Sequence, residues 1–205
     1  MSSPLDIKSE TIATDPWSRY TSGAGFTAEV ENVLKRRVGS LAGQRILVHG
    51  HCGCWARQVC QRLGPPHQVI ETPQTSLDRP LSNGWTEVFN GILCIGLPSA
   101  LADAPLREVF RQFRRVAKRP SWLAVLIVNP RRVDSRFGTA EAPTQTVNVP
   151  ADVGDTTLTT YGRGSNLLAR CIIDPGFSMP TFDDIRSTDD PENVLPRWTL
   201  VFSNG

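Results

Sequence analysis

The chain has 205 residues, 40% of them hydrophobic and 20% charged, a globular balance with enough apolar material for a sizeable core. Lys and Arg number 22 against 20 Asp and Glu, so the formal net charge is only +2, which argues against a dedicated nucleic-acid binder. No apolar run approaches the roughly 20 residues that cross a bilayer, and the opening MSSPLDIKSETIATDP holds no apolar segment of the secretory kind. Five scattered cysteines (Cys52, Cys54, Cys60, Cys94 and Cys171) make no disulfide framework and point to a reducing, cytoplasmic setting. The expectation is a soluble intracellular chain: a loose arm over residues 1–22, then one domain over 23–205.

The arm is rich in Ser, Thr, Pro and charge and has no period. Thr27 is placed to cap a helix from Ala28 to Leu41, with Val30, Val33, Leu34, Val38 and Leu41 at helical spacing. Gly43 breaks the chain before Arg45-Ile46-Leu47-Val48-His49, an apolar run that reads as a strand buried on both faces. Gly50-His51-Cys52-Gly53-Cys54 is a tight turn. A second helix follows, with Trp55, Val59 and Leu63 on one face, and Gly64-Pro65-Pro66 stops it. Gln68-Val69-Ile70-Glu71 is another short strand, whereas Thr72 to Glu87 shows no helical period. Val88 to Gly96 reads as a buried strand.

Asp103 can cap the clearest helix, with Pro105 in its first turn and Leu106, Val109, Phe110, Phe113 and Val116 on its apolar face; Pro120 is expected to end it. Trp122 to Val128 is a continuous apolar strand stopped by Asn129-Pro130. Residues 131–160 read as a long polar connection of the kind that covers a site. A short helix around Gly164 to Arg170, a turn at Asp174-Pro175-Gly176-Phe177 and a late strand at Arg197 to Phe202 close the chain. Strands alternating with helices in this order indicate a parallel, helix-covered α/β sheet.

Three groups of residues can carry chemistry. Gly50-His51-Cys52-Gly53, ahead of a helix, can cradle an anion on free backbone N–H groups, or can simply be a strand-to-helix turn. His49, His51, Cys52 and Cys54 are all metal-capable, but four ligands within six residues cannot readily surround an ion tetrahedrally, and small buried thiols are the simpler reading. Near a helix N-terminus, Cys52 or Cys54 can also have a lowered pKa. Arg107, Arg111, Arg114, Arg115 and Lys118 line one side of the Asp103 helix, as on a nucleic-acid surface or on any amphipathic surface helix; the balanced overall charge favours the second.

In element order over residues 24–205, the chain resembles the class I S-adenosylmethionine-dependent methyltransferases. Arg45-Ile46-Leu47-Val48-His49-Gly50-His51-Cys52-Gly53-Cys54 stands where that family has its first strand and glycine loop. Glu71 stands at the tip of the second strand, where the family often carries the acid that holds the cofactor's ribose hydroxyls. Leu106 to Val116 followed by WLAVLIVNP is similar to small bacterial members of the type 11 group, and Asp174-Pro175-Gly176-Phe177 resembles a late family turn. Two departures stand out. Val48, Cys52 and Cys54 occupy positions where the family pattern has an acid and two glycines. In addition, Thr72 to Glu87 leaves sixteen residues where the family places a helix, a further strand and an acid near the adenine.

The resemblance implies a Rossmann-like three-layer α/β sandwich, its sheet mostly parallel with an antiparallel C-terminal strand. It implies S-adenosylmethionine as cofactor, held by His49, Gly50, His51, Gly53 and Glu71, with Asn129 and Tyr161 placed to line the pocket of a small-molecule acceptor. No catalytic residue is singled out, since methyl transfer depends on alignment more than on acid–base chemistry. The competing expectation is a pseudo-enzyme that keeps the fold and serves as a partner or regulatory subunit. A nucleic-acid-associated module using the arginine stripe is the third.

Overall fold

A computed structural model describes residues 24–50, 53–72, 80–96, 101, 103–129, 144–151, 154–161, 165–185 and 197–205. The elements in chain order are α1 (Ala24–Val38), β1 (Arg45–Gly50), α2 (Gly53–Arg62), β2 (Gln68–Glu71), β3 (Phe89–Ile95), α3 (Asp103–Val116) and β4 (Ala117–Asn129), followed by β5 (Thr144–Ala151), β6 (Gly154–Tyr161), α4 (Ser165–Ile173), β7 (Thr181–Ile185) and β8 (Arg197–Asn204). Six strands form one sheet in the order β2-β1-β3-β4-β8-β7. β2, β1, β3 and β4 run parallel, and β8 is antiparallel to both β4 and β7. This is the three-layer, mostly parallel sheet with an antiparallel C-terminal strand that the sequence leads one to expect. The arm over residues 1–22 lies outside the described residues.

Continuous apolar strands are explained by helices on both faces. On β4, Trp122, Ala124 and Leu126 turn toward Val30, Val33 and Leu34 of α1 and Val59 of α2. The alternate residues Leu123, Val125 and Ile127 turn toward Phe110 and Phe113 of α3 and Leu168 of α4. With period two along the strand, neither set can face water, so no polar residue interrupts the run.

Several boundaries differ from the sequence expectation for physical reasons. Thr27 does not cap α1. The helix starts at Ala24, and buried Thr27 accepts a hydrogen bond from Trp55 Nε1 at 3.0 Å. Phe26 draws the helix back by a turn, since it extends the Val30/Val33/Leu34 stripe and packs against Trp55 and Trp198 at 5.6 Å each. α3 ends at Val116 rather than at Pro120, because the N–H groups of Glu87 and Val88 take up the carbonyls of Arg115 and Val116, at 3.1 and 2.8 Å. Chain entering β3 thus caps the helix, and β4 begins at once. Finally, the expected long connection over 131–160 contains an antiparallel pair, β5 with β6, that forms a sheet of its own. Its threonine-rich, weakly apolar strands have no core pattern by which to be recognised.

Candidate functional site

From β1 the chain crosses to β2 on one side, whereas β3 lies on the other side of β1 and leads on to β4. The two connecting helices therefore cover opposite faces: α2 packs on the α1 face and α3 on the α4 face. In an open α/β sheet, such a reversal leaves a crevice at the carboxyl ends of the two strands concerned, here β1 and β3. Two glycines form its rim. Gly50 ends β1 with φ 110°, and Gly96 follows β3 with φ 69°, both in the left-handed region that favours glycine. A Cβ on Gly50 would collide with the carbonyl oxygen of Ile95, so the two strand ends approach with nothing between them but backbone. Gly96 was legible only as a strand end, although a glycine closing each of two neighbouring apolar strands is the signal that marks it.

Of the predicted residues, the structure brings His49, Gly50, Gly53, Glu71 and Asn129 to this carboxyl edge. Gly53 opens α2, where the first-turn N–H groups lack partners within the helix and point outward. His51 and Cys52 lie outside the described residues, as does the side chain of Cys54. His49 is buried, its Nδ1 lies 2.5 Å from Thr72 Oγ1, and its ring meets Phe113 edge-on at 5.2 Å. Glu71 ends β2 and pairs with Arg57 of α2, Nε to Oε1 at 2.6 Å. The sequence singled out neither Thr72 nor Arg57. Asn129 is the last residue of β4 and stands opposite Arg197 of β8. Tyr161 is separate: it ends β6 in the two-stranded sheet, opposite Thr144.

Val48, at the position where the family pattern has an acid, is a core residue facing α1 and α2. Cys60, Cys94 and Cys171 are buried, and they form no disulfide among the described residues. Burial, with the charge of Glu71 as the lesser cause, pushes the Cys60 thiol up to about 12. Among the described residues no three His, Cys, Asp or Glu side chains gather as a metal site.

The arginine stripe differs from the expected open helix face. Arg107 pairs with Asp174 at 3.2 Å, and Lys118 belongs to β4 rather than to the helix. Arg115 donates to the carbonyls of Leu81, Ser82 and Trp85, clamping that segment to α3. Arg114 is buried over the Phe177 ring, 5.5 Å from its centroid.

No protein-family profile matches the sequence, and no curated protein does. Solved structures do match. An S-adenosylmethionine-dependent methyltransferase from Mesorhizobium loti superposes with a TM-score of 0.58 at 13% identity, covering 85% of this chain and 96% of its own. The PH0226 protein from Pyrococcus horikoshii OT3 gives 0.59 at 13% identity, over 86% and 88% of the two chains. A DhpI–SAH complex gives 0.55 at 12% identity, over 91% and 86%. The sheet order, the antiparallel C-terminal strand and these superpositions agree: the chain has the fold of the class I S-adenosylmethionine-dependent methyltransferases.

Proposed function

We propose that this chain binds S-adenosylmethionine in the crevice between the carboxyl ends of β1 and β3 and transfers its methyl group to a small-molecule acceptor. The observation that carries the reading is the pair of left-handed glycines, Gly50 and Gly96, at the point where the strand order reverses. Without a Cβ, Gly50 lets the ends of β1 and β3 close together at the base of the crevice, and the N-terminal amides of α2 at Gly53 favour the ligand's carboxylate. The Glu71 carboxylate, one strand away, accepts from the ribose hydroxyls. Arg57 orients it, and His49 with Thr72 forms the floor between these strand ends. Asn129, farther along the same edge, belongs to the acceptor side.

When bound, S-adenosylmethionine supplies an electrophilic methyl on a sulfonium. The protein's part is to align the acceptor and exclude water, which calls for no acid–base pair. The cytoplasmic setting we infer rests on the scattered cysteines, three of them buried without a disulfide among the described residues.

A pseudo-enzyme is the second reading. It is favoured by Val48, an apolar core residue at the family's acid position, and by the pairing of Glu71 with Arg57. The same fold also serves other chemistry, as in a [4+2]-cyclase, SpnF, that superposes with a TM-score of 0.53 at 10% identity, over 85% and 80% of the chains. Calorimetric titration with S-adenosylmethionine and S-adenosylhomocysteine tests binding. Glu71→Ala is expected to weaken it about tenfold, the worth of one charge-assisted hydrogen bond. Absence of binding at millimolar ligand rejects both the cofactor and the methyl transfer. Binding without release of S-adenosylhomocysteine in the presence of pooled acceptors selects the pseudo-enzyme.

A further inference from the structure

At the opposite edge of the sheet, Thr86, Glu87, Arg111, Arg114, Arg115, Arg119 and Pro175 line a shallow, open groove of about 530 Å³. We propose that this groove is a second binding site, for the phosphate of a small, hydroxyl-bearing phosphorylated molecule of the sugar-phosphate class. It lies at the amino ends of β3 and β4, about 20 Å along the strands from the crevice, and the inference does not depend on the proposed methyl transfer.

Four guanidinium groups face one carboxylate there. Arg115 is committed to backbone carbonyls and to Gln112, so it contributes field rather than free donors. Arg111 holds only a surface pair with Glu108, 3.2 Å long and exposed on both sides. Arg119 is exposed and makes no ion pair among the described residues. Arg114 is the decisive group. It is only 9% exposed, its Nη1 donates to the Ala117 carbonyl at 3.2 Å, and its Nε has no acceptor among the described residues. Burial first and the neighbouring charge of Arg119 second lower its pKa, and the Glu87 carboxylate offsets them only in part.

A buried, incompletely partnered guanidinium is unfavourable for the fold alone. A dianion seated beside Arg111, Arg114 and Arg119 removes the deficit, and the planar forks suit phosphate oxygens. Glu87 supplies a second observation: it holds a left-handed backbone, φ 51°, that a non-glycine residue adopts at a cost and that gathers at binding sites. Its carboxylate on the groove wall accepts from hydroxyl groups and repels a second phosphate. Charge gathered in one concavity beside an acid, with Arg107 outside the groove, fits a small molecule better than a polynucleotide backbone.

The test uses ribose 5-phosphate as probe, followed by amide chemical shifts and calorimetry on the full chain, with ribose as the uncharged control. Saturable binding that weakens with salt is expected, with shifts at residues 86–89 and 111–119 and none from ribose. Arg119→Gln, at an exposed position, should lower affinity about tenfold and leave S-adenosylhomocysteine binding unchanged. Glu87→Gln should strengthen binding of inorganic pyrophosphate, which a purely structural glutamate would not do. Any of three results overturns the site: no binding at tens of millimolar probe, affinity unmoved by Arg119→Gln, or displacement of the probe by S-adenosylhomocysteine. The last would place the probe in the crevice instead.

Discussion

Single residues set the chemical character of the carboxyl edge. Cys60 is buried in α2, with the Glu71 charge adding to the effect of burial, and its thiol is pushed from the ordinary 9.0 to about 12. The neutral thiol is the form that suits the fold. Because the folded-state pKa is the higher, the stabilisation is complete below pH 9.0, where both states are protonated. It is lost as pH rises from 9.0 toward 12, where the unfolded chain releases the proton first. Denaturant melts at pH 8 and 10.5 should show a fall in stability that Cys60→Ala reduces; an equal fall in both proteins would show that other groups dominate the alkaline limb. Which residues matter at this scale was only partly legible. Glu71 and Gly50 stand out because a strand tip and a strand-ending glycine are marked in the chain itself. Arg57 and Thr72 do not, because what makes them relevant is contact across fourteen and twenty-three positions of sequence.

At the scale of elements, close approach decides the packing of β3 on β4. The Trp122 indole lies directly on Gly91, where a Cβ would fall within the ring, and its Nε1 donates to Gln44 Oε1 at 2.8 Å. Gly91→Ala must displace the indole and break that bond. A cost of about 2–4 kcal/mol in a urea melt is expected, from overpacking plus a lost hydrogen bond. A change below about 0.5 kcal/mol would mean that the indole moves aside freely. The elements most legible in the sequence were those with a strong period or a long apolar run: α3, β1, β3, β4 and β8. Boundaries were missed where a partner far along the chain supplies the reason. Phe26 lengthens α1 because Trp198 is there to receive it, and α3 stops early because the N–H groups of residues 87 and 88 cap it. The β5–β6 pair was illegible for a different reason: strands such as TQTVNVPA and GDTTLTTY alternate too weakly to read as a buried face.

For the whole molecule, one sheet presents two edges of different chemistry. The carboxyl edge has bare backbone at Gly50 and Gly96, a helix N-terminus and an acid. The amino edge carries the arginines of α3 and β4 around a single glutamate. The sequence read as a stripe what the fold divides. Arg115 serves the fold and Arg107 lies apart in a surface pair with Asp174, while Arg111, Arg114 and Arg119 meet in one groove. The short segment between Thr72 and Glu87 is reflected in the sheet, where no strand pairs outside β2 among the described residues. The most direct test of the central claim is a crystal structure of the chain grown with millimolar S-adenosylhomocysteine. The ligand is expected across the carboxyl ends of β1 and β3, with its backbone contacts at Gly50 and Gly96 and its ribose hydroxyls on Glu71. An empty crevice at that concentration, or the ligand bound elsewhere on the chain, would contradict it.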